Sequence, residues 1–190
     1  MNGRDKFAKY KRLIDCIARV HQMVPRAGKR WLANLYRGMN GTKGIVLRYA
    51  LYKSICPKFG DCVSIFPNVY IMNAENLSIG DNVSIHPMSY LEAYGGIEIG
   101  NEVSIAHGVT IMSVSHGYKD LDIPIRRQEL IPMSVKLEDD IWIGAKATLL
   151  GGVCVGNGSI VGANAVVTKD IPPFSISAGC PARIINSRKA

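Results

Sequence analysis

Acidic residues are nearly missing from the first third of this 190-residue chain. Residues 1–58 hold two acids against fourteen lysines and arginines, a balance of +12, whereas residues 59–190 hold thirteen acids against nine, a balance of −4. So uneven a distribution places a module border near Lys58. The five cysteines (Cys16, Cys56, Cys62, Cys154 and Cys180) are odd in number and scattered, with no CxxC or similar ligand spacing. That argues against structural zinc, fits a reducing, cytoplasmic compartment, and leaves each cysteine expected as a small buried hydrophobe. Long apolar runs are also missing. Charges break every one, so neither a signal peptide nor a membrane span is expected. No recognition motif or series of stacking aromatics supports nucleic-acid binding.

What the chain does have is a six-residue beat. In steps of six from Leu137 stand Leu137, Ile143, Leu149, Val155, Val161 and Val167, all aliphatic, and the residue after an anchor is often glycine (Gly144, Gly156, Gly162). Four after each anchor stands a small or aliphatic residue: Ile141, Ala147, Val153, Ser159, Ala165. A helix repeats at about 3.6 residues and a flat strand at about 2, so neither accounts for this spacing. A period of six suits a chain wound around a prism, one short parallel strand per face, with coils stacked on one another. The beat also runs through Phe59, Ile65, Ile71 and Leu77, then shifts by two to Ile79, Ile85, Leu91 and Ile97, and again to Ile99, Ile105 and Ile111. Residues 77–96 thereby lie over residues 97–116, which predicts eighteen residues per coil plus two where a corner bulges.

The basic segment reads as helical. Phe7, Tyr10, Leu13, Ile14, Ile17 and Val24 follow a helical period with lysines and arginines among them. Residues 45–52 form a second helix candidate. The charges suit a solvated face on helices packed against the rod, or contact with an anionic membrane surface. His21 is expected at the surface of the first helix.

Between Ile111 and Val135 the beat stops for a segment with charges, two prolines and a glycine. A long loop in a regular rod is usually functional. His116 stands at its mouth, where a histidine can act as general base near neutral pH or simply bond a carbonyl. His86 and His107 belong near coil corners. Stacking puts His86 over Ala106, not over His107, which argues against a three-histidine metal site.

The run IWIGAKATLLGGVCVGNGSIVGANAVVTKDIPPFSISAGCPARII (141–185) resembles the signature end of the hexapeptide-repeat acyltransferases. Within them it is most similar to the galactoside, maltose and xenobiotic O-acetyltransferase group, especially the sugar O-acetyltransferases of bacterial surface-polysaccharide synthesis. The likeness covers roughly 59–185, and SHGYKDLDIPIRRQ in the loop shares it. The resemblance implies an all-β fold, a left-handed parallel β-helix that departs from the right-handed crossover rule. Together with the charge boundary it divides the chain into three segments: a basic helical one (1–58), the β-helix domain (59–185) with one protruding loop (112–134), and a tail (186–190). It also implies a homotrimer with active sites between subunits and acetyl-CoA as co-substrate, with no metal.

By the same resemblance His116 matches the catalytic histidine. Ala145 and Ala163 match positions whose backbone meets the pantetheine arm, Thr168 and Lys169 the turn near the nucleotide end, Arg183 a basic residue near the phosphates, and Trp142 a tryptophan that shapes the groove. Four features depart from the galactoside group. His86 stands where that group has asparagine and Tyr94 where it has aspartate, so the acceptor contacts differ, with Glu92 a candidate replacement acid. Cys180 replaces a common asparagine, and the acidic helical N-terminal region gives way to the basic segment. The expected activity is acetyl transfer to a sugar hydroxyl in surface-glycan synthesis. Antibiotic-type or amino-sugar N-acetyl transfer on the same scaffold is the alternative, ahead of a γ-type metalloenzyme or a non-catalytic β-helix.

Overall fold

The computed structural model describes residues 3–189. Three helices, α1 (Gly3–Gln22), α2 (Arg26–Arg37) and α3 (Gly41–Lys53), precede a parallel solenoid. The solenoid has three faces. Face A stacks Lys58–Phe59, Leu77–Ile79, Ile97–Ile99, Val135–Leu137 and Cys154–Val155. Face B stacks Ser64–Ile65, Ser84–Ile85, Ser104–Ile105, Trp142–Ile143, Ile160–Val161 and Ser175–Ala178, with Arg183–Ser187 returning antiparallel at its end. Face C stacks Tyr70–Met72, Tyr90–Glu92, Thr110–Met112, Thr148–Leu149 and Val166–Val167.

The register follows the expected stacking. Leu77 pairs with Ile97 and Ile85 with Ile105, so early coils repeat every twenty residues, while Leu137 pairs with Val155, an eighteen-residue repeat. Anchors point inward: Ile65, Ile85, Ile105, Ile143 and Val161 form one ladder, each fully buried. Removing such stacked aliphatic surface from water is the main stabilising term, and coil-to-coil hydrogen bonds satisfy the backbone. Tight corners put residues in the left-handed region: Asn82, Glu102 and Asp140 at one, Asn68, Met88 and Lys146 at another. Asparagine tolerates that conformation better than most side chains.

The open end of the rod is closed by α3, whose Tyr49, Ala50, Leu51 and Tyr52 are buried. Buried Arg48 fastens it. Its guanidinium donates to the carbonyls of Ile65 (2.8 Å), Tyr36 (2.6 Å) and Met39 (2.8 Å), joining the first coil to the loop after α2. Helix α1 packs on α3 through Ile14 and Ala18, and Lys11 pairs with Asp61 while Lys53 pairs with Asp15.

Several expectations need correction. The helix anticipated over 45–52 extends to Gly41–Lys53, and α2 was not anticipated. None of the residues of α2 is buried, so no core stripe marks it, although Pro25 stands at its entry. His21 is buried, not superficial. It lies between α1 and α2, edge-on to Tyr36 at 5.8 Å between ring centroids, with Nδ1 2.8 Å from the Ile17 carbonyl. Of the cysteines only Cys56 is buried, and Cys16 and Cys180 are exposed. The solenoid's interruption begins as an ordered hairpin, Val114–His116 against Leu130–Pro132.

Candidate active site

Face C separates two edges, and the candidate residues divide between them. At the corner between faces B and C, stacking aligns Phe66, His86, Ala106, Gly144 and Gly162 in one column. The next column holds His107, Ala145 and Ala163, tied by backbone bonds from Lys146 to the His107 carbonyl and from Asn164 to the Ala145 carbonyl (2.9 Å each). Alanine side chains here leave the backbone open to a ligand lying along the edge, while the corner bonds keep it rigid. Arg183 is exposed at the end of this edge, pairing with Ala178 beside Gly162.

His86 lies flat on Phe66, ring centroids 4.6 Å apart and planes 13° from parallel. Burial lowers its pKa from the ordinary histidine value, and the nearby positive charge that His107 can carry lowers it further. A neutral imidazole on an aromatic platform suits contact with an uncharged polar acceptor.

At the corner between faces C and A, His116 is exposed at the end of the hairpin strand, paired through its backbone with Leu130. An open groove of about 1060 Å³ runs between hairpin and face, lined among others by Met112, Tyr118, Met133, Leu150 and Thr168. The chain neighbours of His116, Ser115 and Gly117, line it too. Lys169 follows Thr168 and is exposed. Along face C, Met72, Glu92 and Met112 are register partners, so Glu92 stands one coil below the groove. Its carboxylate accepts from Asn73 Nδ2 (2.6 Å) and the Tyr90 hydroxyl (3.3 Å). Tyr94 is exposed two residues on, and its carbonyl accepts from Asn76 (3.1 Å).

Thus His86, Ala145, Ala163 and Arg183 gather on one edge, and Glu92, Tyr94, His116, Thr168 and Lys169 on the other. Within one chain the sets do not meet. Trp142 is on neither edge. It stands 55% exposed on face B, between Ser104 and Ile160. Sequence reasoning missed Tyr118 and Met133 in the groove, and Asn73 and Tyr90 at Glu92. The last two were legible in principle, because the twenty-residue register pairs Tyr70 with Tyr90 and sets Asn73 one residue past Met72, the partner of Glu92. A smaller groove on face A, lined by Glu98, Asn101, Lys136 and Glu138, lies away from all of these.

Residues 134–169 match the family described as bacterial transferase hexapeptide (six repeats). The chain is 31% identical to galactoside O-acetyltransferase of Escherichia coli (strain K12) over 139 residues, 73% of this chain and 67% of that protein. It is 35% identical over 155 residues to a lipopolysaccharide biosynthesis O-acetyl transferase, WbbJ, of the same strain, covering 78% of this chain and 69% of the relative. The alignment with an acetyltransferase of Mycobacterium tuberculosis is 37% identical over 79 residues and spans only 26% of that longer protein. Among solved structures, a hexapeptide-repeat acetyltransferase of Vibrio cholerae complexed with acetyl coenzyme A superposes with a TM-score of 0.77, 30% identity and 87% coverage of each chain.

Proposed function

The chain belongs to the hexapeptide-repeat acetyltransferases, built as left-handed parallel β-helices, and from that premise we propose that it transfers the acetyl group of acetyl-CoA to a sugar hydroxyl. The observation that carries the reading is the division of the site between the two edges of face C. His116 offers a base at the mouth of a groove bounded by Thr168, on the edge away from the alanine column. The alanine column and Arg183 offer a track for a long anionic co-substrate, with His86 beside it, while His116 lies on the other edge. Apposing one edge to the other edge of a neighbouring copy completes a cleft, and a head-to-tail ring of such contacts is a closed homo-oligomer, here a trimer.

In that cleft Arg183 and Lys169 hold phosphates, and the amides beside Ala145 and Ala163 meet the pantetheine arm. Thr168 bounds the groove, and Trp142 flanks the track from face B. His116 takes the proton from the acceptor hydroxyl as its oxygen attacks the thioester carbonyl. The resulting tetrahedral oxyanion is held by a backbone N–H and collapses, expelling the CoA thiolate, which recovers a proton from the imidazolium. The transfer is direct, so no cysteine or serine nucleophile is required. His86, Glu92 and Tyr94 face the acceptor from the two edges. The lipopolysaccharide-biosynthesis relative supports a surface glycan as the acceptor's source. No helix among the described residues is long and apolar enough to cross a membrane. The basic charge of residues 1–58 supports peripheral contact with the anionic inner face of the cytoplasmic membrane, where lipid-linked glycans would be met.

Mixed oligomers test the shared cleft. His116→Ala and Ala163→Trp, each inactive alone, are unfolded together and refolded as a mixture. About a quarter of wild-type turnover should return, the fraction of clefts that draw an intact edge from each neighbour. No recovery, with mixed oligomers demonstrated by native mass spectrometry, would mean that each chain carries its whole site.

A further inference from the structure

The apolar side chains of the basic helices are not all turned inward. On α1, Ile14, Ala18 and His21 pack toward the protein. Tyr10, Leu13 and Val20 stand 49%, 60% and 58% exposed, with half-buried Ile17 among them. Spacings of three, four and seven set these four residues along one stripe of the helix. Exposed Lys9, Arg12 and Arg19 border it. On α2, Trp31 and Leu35 are one turn apart and 63% and 52% exposed, beside exposed Arg26 and Arg30. Met23, in the turn between these helices, is 85% exposed. Folding leaves these large side chains in water, and apolar patches of that kind mark interaction surfaces.

Charge selects the occupant. The stripes lie in a segment of balance +12, so a second copy of the same surface would be repelled. An amphipathic helix with leucine, valine and tryptophan on one side and lysine and arginine alongside is the pattern that lies in the headgroup–acyl boundary of a bilayer. Tryptophan prefers that level because its ring is apolar while its N–H stays hydrated.

We propose that α1 and α2 contact an anionic bilayer by inserting Leu13, Val20, Met23, Trp31 and Leu35 into its interfacial layer, the basic residues meeting lipid phosphates. This deepens the peripheral contact put forward above and rests on it, but on no step of acetyl transfer. Insertion and purely ionic adsorption differ in their response to salt. Ionic attraction fades as the Debye length shrinks, whereas burial of apolar side chains does not.

The test uses the full chain carrying Trp142→Phe, which leaves Trp31 as the sole tryptophan. With vesicles of phosphatidylglycerol and phosphatidylcholine in equal parts, Trp31 emission should shift to the blue and be quenched by brominated acyl chains. Phosphatidylcholine vesicles alone should give no shift. At ~0.5 M salt binding should weaken yet persist in part. Leu13→Ser with Val20→Ser should lower vesicle affinity about tenfold or more, since both side chains lose apolar burial. Leu35→Ser tests α2 independently should that pair fail to fold. Acetyl transfer to a soluble acceptor by wild-type protein, followed separately, judges the enzymatic reading. Absence of any Trp31 shift at low salt overturns the proposal. So does complete release by salt with no effect of the serine substitutions, which would mean ionic adsorption only. A fall in oligomer size on Leu13→Ser and Val20→Ser, without vesicle binding by wild type, would assign the stripe to a second copy instead.

Discussion

Glu92 and Met112 are register partners on face C, which sets the Glu92 carboxylate one coil below the groove beneath the His116 hairpin. Asn73 and the Tyr90 hydroxyl hold that carboxylate in place. It also raises the Tyr90 pKa, after burial, which is the larger cause. Glu92→Gln should therefore raise the KM for acceptor several-fold and leave that for acetyl-CoA nearly unchanged. Steady-state kinetics with each substrate varied in turn checks this, and an equal rise for both would place Glu92 in the scaffold.

His116→Ala should lower kcat by roughly 10²–10⁴ with thermal stability and CoA affinity intact, the usual cost of losing a general base. His116 is exposed at the end of the hairpin strand, so a large loss of melting temperature would contradict its role.

Lys169→Ala and Arg183→Ala should each raise the KM for acetyl-CoA with a smaller effect on kcat, because the proposed cleft uses them on a remote part of the donor, in ground and transition states alike. A pantetheine thioester lacking the nucleotide should hardly distinguish these variants from wild type. Equal losses with both donors would assign the two residues to the fold.

His86 should titrate below the ordinary histidine range, since burial against Phe66 and the proximity of His107 both disfavour its charged form. The unfolded chain then binds the extra proton first. The neutral stacked ring costs nothing above the unfolded pKa of about 6.5, and stability falls as pH drops from there through the lowered folded value. Phe66→Ala should return the His86 titration toward the ordinary value, read by NMR of the imidazole protons.

Arg48→Ala should destabilise the protein by about 3 kcal/mol or more, because three backbone carbonyls, that of Ile65 buried, lose a charged donor and a cavity opens under α3. Denaturant unfolding measures it. Little change would mean that water enters and replaces the guanidinium.

Much of the rod was legible because coils repeat locally. The step of six from Leu137 to Val167 names buried positions directly, since each face returns the same inward orientation, and the shifts near Leu77 and Ile97 reveal the longer early coils. His116 stood out as a candidate for the opposite reason, as a titratable residue where the repeat fails. Helix α2 was not, because Trp31 and Leu35 face outward and supply no core periodicity. Burial of His21 depends on Tyr36, fifteen residues away on another helix, and sequence spacing cannot show such a contact.

By itself the sequence determined the β-helical rod, its register and the basic character of the helical segment. Those follow from periodicity, charge and residue type, which are local properties. The tertiary structure alone decided that His86 and His116 stand on opposite edges of face C, and that Leu13, Val20 and Trp31 remain in water. Which edge a residue joins depends on how coils close into three faces, and which side of a helix is covered depends on what packs against it. Both are set by contacts between segments distant along the chain.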